Sequence, residues 1–98
     1  MKKTMPLFVL TLIDKPKSLE LRMATREAHL AWVRGRVGEL KLGGPFLDDA
    51  GDMAGSLMIV EEPDLAAARA FNAEDPYTKA GLWAQVDIRP FRVTFGQL

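Results

Sequence analysis

The chain of 98 residues carries one histidine, His29, and no cysteine. An imidazole that titrates near neutral pH can take a proton and return it, provided a partner holds one ring nitrogen and leaves the other free. His29 sits in a stretch, Ser18 to Val37, whose spacing predicts a helix. At about 100° per residue, Glu20, Glu27 and Arg34 gather on one face. Leu19, Met23, Leu30, Val33 and Val37 form a second face, and Leu21, Ala28 and Trp32 a third. His29 falls between the two apolar faces, with Arg22 and Arg36 seven residues to either side on the same line. A plain surface helix does not set polar groups inside its apolar arc. Groups placed there need partners, so this line is where a function is expected.

Asp75 is the candidate partner for His29. A carboxylate against one ring nitrogen would orient the ring and stabilise its charged form. The same Asp-Pro pair is also ordinary helix-capping chemistry. Arg22 and Arg36 can bind an anionic or carbonyl-bearing substrate, or simply pair with acidic side chains, and Arg26 can do the same work as Arg22. Ser56 offers a hydroxyl, but with no base beside it in the sequence it is not read as a nucleophile. Tyr77 either lines the pocket or packs, and Trp32 reads as a packing residue. Gly43-Gly44-Pro45 lacks the spacing and the lysine of a phosphate loop. Its glycines permit close approach of another group, which makes Gly44 and Pro45 candidates for the ligand side of the site. Asp48, Asp49 and Asp52 lack the closing glutamate of an EF-hand and read as a solvated hairpin loop.

The elements that must position these groups follow in order. Leu7 to Ile13 is a nearly continuous apolar run, fit for a central strand. Asp14-Lys15-Pro16-Lys17 is a turn, Ser18 is placed to cap the helix, and Gly38 to end it, with Gly35 weakening its last turn. Glu39 to Leu42 alternates as a half-buried strand. Ser56 to Val60 is a second strongly apolar strand. Asp64 caps a second helix, Leu65 to about Ala73, and Asp75-Pro76 opens a short turn closed by Gly81. In the tail, Ala84, Val86 and Ile88 share one parity and Phe91, Val93 and Phe95 the other. That switch near Pro90 predicts a bulge or a break into two strands. Strand, helix, strand, strand, helix, strand is the split βαβ plan of α+β ferredoxin-like domains. The expected fold is an antiparallel βαββαβ sheet with helices on one face and an additional C-terminal strand.

The totals restrict the partners. A chain this short forms one domain, 1–98, and gains from association with a second copy. Thirteen basic and thirteen acidic residues balance, which speaks against a nucleic-acid binder and against a polybasic membrane anchor. Without cysteines, and with one histidine, neither a thiolate nucleophile nor a cysteine or polyhistidine metal site is available. Lys2-Lys3 ahead of Met5 to Ile13 faintly mimics a signal peptide, but no small-residue cleavage site follows, and nine apolar residues are too few to span a bilayer. A cytoplasmic location is expected.

Several short pieces then occur together and in order: Arg22 with Ala28-His29-Leu30, Gly44-Pro45, Gly55-Ser56, Ala67-Ala68, Asp75-Pro76-Tyr77, Ala80-Gly81 and Arg89-Pro90-Phe91. In these the chain resembles the YciI-like proteins of the YCII-related domain family over nearly its whole length. The resemblance implies a dimeric α+β barrel, assembled as a homodimer. It also implies a His-Asp dyad, here His29 and Asp75, with Ser56 matching a family serine near the pocket. Some relatives break down halogenated aromatics by loss of hydrogen halide from a hydroxylated ring. The expectation is therefore a small homodimeric enzyme with lyase- or hydrolase-like acid/base chemistry. It would act on a small polar or aromatic substrate with neither metal nor redox cofactor. The competing expectation is a non-catalytic domain whose Arg22/His29/Arg36 line binds an anion or a partner.

Overall fold

The computed structural model describes residues 5–98. Its elements are β1 (Leu7–Asp14), α1 (Leu19–Arg34), β2 (Leu40–Leu47), β3 (Met53–Glu61), α2 (Leu65–Glu74), α3 (Pro76–Lys79) and β4 (Trp83–Phe91). The strands form one sheet in the order β2-β3-β1-β4, every neighbouring pair antiparallel. The two most continuously apolar strands, β1 and β3, are the central ones, as burial on a covered sheet demands. Each βαβ crossover steps over one strand. This is the ferredoxin-like α+β fold of the dimeric α+β barrel type.

Phe8, Leu10 and Leu12 alternate along β1 and turn their side chains to the helical face. They pair in register with Val60, Met58 and Ser56 of β3. Ala68 and Phe71 of α2 close over them, with Leu65 and Trp32 packed at the margin. The opposite face carries Leu7, Val9, Leu57 and Phe91, and no helix among the described residues covers it.

Helix α1 differs from its sequence pattern in three ways. It stops at Arg34 with Gly35 as its C-cap, short of Val37 and Gly38, because a glycine so close to the end removes the support for another turn. Ser18 makes no side-chain cap bond; its hydroxyl reaches back to the Pro16 carbonyl instead. And the buried residue of α1 is Arg22, while Leu19, Leu21 and Met23 stay exposed. Asp14 and Ser56 lie beneath the helix and satisfy the guanidinium, so the polar line turns inward.

Two further expectations change. Strand β2 runs unbroken through Gly43-Gly44-Pro45, with register shifts near Leu40 and Phe46. Strand β4 has no break at Pro90, which pairs with Phe8; its register shift lies at the other end, between Trp83 and Gln85. As an edge strand it tolerates the proline. The segment after Phe91, where an added strand is expected, extends past the four-stranded sheet with Phe95 exposed and no neighbouring strand among the described residues, an arrangement consistent with an additional C-terminal strand. Gly55 is required where β3 meets β1: a Cβ there would stand 2.5 Å from the Leu12 carbonyl oxygen.

Candidate active site

Arg22 projects from the first turns of α1 to the end of β1. Its Nε donates to Asp14 Oδ2 at 2.8 Å and its Nη2 to Asp14 Oδ1 at 3.0 Å. Nη2 also donates to Ser56 Oγ at 2.9 Å. The guanidinium lies 4.6 Å from the centre of the Tyr77 ring. A two-point bond to a carboxylate plus a ring face fixes all its heavy atoms.

His29 lies two turns further along the same helix. Its Nδ1 stands 2.8 Å from Asp75 Oδ1, and its ring stacks on Tyr77 with centroids 4.1 Å apart and planes 18° from parallel. The local sequence builds this contact. A residue before proline is driven out of the helical region. Asp75 therefore takes φ −63°, ψ 127°, ending α2 and capping α3, whose first residue is Pro76. Its Oδ1 accepts the Tyr77 N–H at 2.9 Å. A carboxylate oxygen accepts and does not donate, so the bond to Oδ1 calls for the proton on Nδ1 of the ring and turns Nε2 away from Asp75. Among the described residues Nε2 has no hydrogen-bond partner. Asp75 is fully buried and its Oδ2 has no partner.

Between α1, β2 and β3 lies a cavity of about 430 Å³. Arg22, Arg26, His29, Ser56 and Tyr77 form its polar wall, with Gly44 and Pro45 across from them. Burial pushes the Tyr77 phenol above its ordinary pKa, against the pull of Arg22 and Arg26, so it stays protonated and able to donate at neutral pH. Of the sequence-derived site residues, all but Asp75 and Arg36 face this cavity, and Asp75 stands directly behind His29. No group of three or more His, Cys, Asp or Glu side chains among the described residues is placed to hold a metal ion.

Arg36 is the exception on the helix line. Beyond the end of α1 it makes a forked bond to Glu39, at 2.7 and 2.9 Å, and another to Glu74 at 3.0 Å, away from the cavity. Arg36 holds the Glu39 carboxyl down at about 2, while burial and the neighbouring Glu39 push Glu62 up to about 7. Sequence reasoning missed Asp14, whose turn context already explained an acid there. The available signal was Arg22 itself, since an inward-facing arginine requires a carboxylate. It also missed Leu30, Val33 and Met58 as cavity walls, because apolar residues at these spacings read as core.

The comparisons with known proteins bear on the family and the fold. The sequence model of the YCII-related domain matches residues 6–92. The protein YciI of Escherichia coli is 37% identical over 97 residues, covering 91% of this chain and 99% of that protein. Among solved structures, the 5-chloro-2-hydroxyhydroquinone dehydrochlorinase of Burkholderia phenoliruptrix AC1100, in complex with 2,5-dihydroxybenzoquinone, is 34% identical with a TM-score of 0.81, covering 88% of this chain and 93% of that one. A NIPSNAP family protein of Agrobacterium tumefaciens, 16% identical with a TM-score of 0.58 over 98% of this chain and 92% of that one, shares the fold alone. With the match running from β1 through the whole of β4, the chain belongs to the YCII-related domain family.

Proposed function

We propose that this protein is a small-molecule enzyme in which His29, oriented by Asp75, serves as general acid and base. The observation that carries the reading is the pairing itself: one ring nitrogen is held by a buried carboxylate while the other faces a cavity without a protein partner. The substrate class is a small ring bearing hydroxyl or carbonyl groups. Nε2 takes a hydroxyl proton, Tyr77 and Arg26 offer donors to oxygens that gain charge, and Arg22 holds Ser56 and the Tyr77 ring in place. On a halogenated hydroquinone-type ring, loss of a hydroxyl proton with departure of halide and tautomerisation gives a quinone plus hydrogen halide, and no oxidant is needed. The dehydrochlorinase relative, which shares the fold at 34% identity, supports this class of chemistry.

The working form we propose is a homodimer. The sheet face bearing Leu7, Val9, Leu57 and Phe91 is apolar and lacks a helix of its own chain, and a second copy would cover it. Sedimentation should give twice the chain mass.

The catalytic test is a panel of chlorinated and unchlorinated hydroxyquinols, followed by chloride release and ultraviolet absorbance. Removing a general acid/base should cost ~10²–10⁴ in rate. His29→Ala retaining full activity would eliminate His29 as the general acid and base, and turnover of no member of the panel would leave a binding domain in place of an enzyme.

A further inference from the structure

The cavity changes character from one end to the other, and both walls change in the same direction. Along α1, Arg22, Arg26 and His29 are followed on the same stripe by Leu30 and Val33. On the sheet side, Ser56 gives way to Met58 one pleat further along β3, with Leu40 of β2 paired to Val60 beyond; Met53 lines the wall on the other side of Ser56, and Lys41, beside Leu40, is engaged by Glu61. Since β3 runs alongside α1 in the same direction, the polar ends coincide and so do the apolar ends. From Arg26 to Val33 is seven residues, or about 10 Å of helix.

The charges at the polar end do not cancel. No Asp or Glu lines the cavity. Arg22 is neutralised by Asp14, and Lys41 stands 3.6 Å from Glu61. Arg26 has no carboxylate within ion-pair distance among the described residues. It is the uncompensated cation of the cavity among the described residues, and it is exposed. A single hydroxylated ring at the polar end would leave the apolar end unfilled, because a volume of about 430 Å³ is in the range that holds drug-sized ligands.

We infer that the natural ligand is an amphipathic anion: a carboxylate or phenolate that pairs with Arg26 at one end and an apolar body that lies along Leu30, Val33 and Met58 at the other. This inference rests on the reading of the cavity as the substrate site and goes beyond it in naming the ligand's charge and length. Arg26, which also offers a donor to oxygens that gain charge, selects for the anion.

The test uses three non-reacting probes, benzoate, 4-butylbenzoate and 4-butylbenzamide, titrated calorimetrically into the full chain. The butyl group should tighten binding at least tenfold over benzoate, through burial of its methylenes. The carboxylate should bind about three- to tenfold tighter than the amide. Arg26→Gln, an exposed substitution that the fold accommodates, should erase the acid-over-amide preference and leave the butyl gain intact. Leu30→Asn should do the reverse. Equal binding of acid and amide, no gain from the butyl group, a preference that survives Arg26→Gln, or no binding of 4-butylbenzoate at millimolar concentration would each overturn the inference. His29→Ala should keep both preferences. Because the readout is binding, a His29→Ala variant that stayed fully active would sink the catalytic reading alone.

Discussion

His29 and Asp75 stand 46 positions apart in the chain, yet their side chains meet at 2.8 Å. The contact is made by an oxygen that also caps α3, so the fold of the α2–α3 corner and the orientation of the imidazole depend on the same atom. Asp75→Asn separates the two roles. Asparagine caps a helix as well as aspartate does, so the melting temperature should shift by only a few degrees. The neutral amide no longer supports a charged ring, and turnover should drop by at least ~10². His29→Ala should cost about as much, and the double variant little more, since the two act as a unit. Steady-state rates of the three variants, with thermal melts as the control, check this.

Arg22 is a positioning residue whose loss should be felt first in stability. Both it and Asp14 are almost fully buried, at 2% and 6% side-chain exposure. Arg22→Met leaves the Asp14 carboxylate without its partner, which should cost ~3–5 kcal/mol. Replacing Asp14 as well, in Arg22→Met/Asp14→Leu, removes the stranded charge and should recover much of that. Urea unfolding of the single and double variants measures the difference; equal instability in both would show that the pair is not what holds this corner.

The acid cluster at the far end of α1 predicts how stability depends on pH. Glu62 is raised from 4.5 to about 7 by its burial and by Glu39. Between those values the folded chain binds more protons than the unfolded one, so this group's contribution to stability declines as pH rises through about 7. Glu39, lowered to about 2 by Arg36, acts oppositely: its contribution is present above about 4.5 and is lost as pH falls toward 2. Glu62→Gln should flatten the decline between about pH 4.5 and 7. Chemical denaturation across that range reads it, and parallel curves for the two proteins would contradict it.

Two glycines eleven residues apart should behave differently. A Cβ at Gly55 meets the Leu12 carbonyl oxygen at 2.5 Å and Phe46 Cδ2 at 3.0 Å, whereas at Gly44 it meets nothing within 4 Å. Gly55→Ala forces β3 away from β1 and should destabilise by ~1–3 kcal/mol. Gly44→Ala should leave stability nearly unchanged while adding a methyl group at the cavity wall, so its effect should fall on substrate affinity. Denaturation midpoints compared with KM values separate the two.

The strand order and the split βαβ plan were legible because β1 and β3 carry the longest apolar runs and the turn residues bracket every element. His29 was legible as an inward polar group because helical periodicity is a local property. What periodicity could not show is which way the helix turns when a buried ion pair outweighs its apolar faces. Leu19, Leu21 and Met23 read as core, yet Arg22 took that place because Asp14 lay beneath it. The bond between positions 29 and 75 was likewise beyond any local pattern. Arg36, on the same line, was drawn off by Glu39 only three residues away.

The state of the single imidazole tests the account most directly. Nitrogen-detected NMR of His29 can be read without assignment because the chain holds one histidine. The account predicts, in the neutral form of the ring, a proton fixed on Nδ1 and a bare Nε2. A ring with its proton on Nε2, or one exchanging freely between the two nitrogens in the unmodified protein, would contradict it.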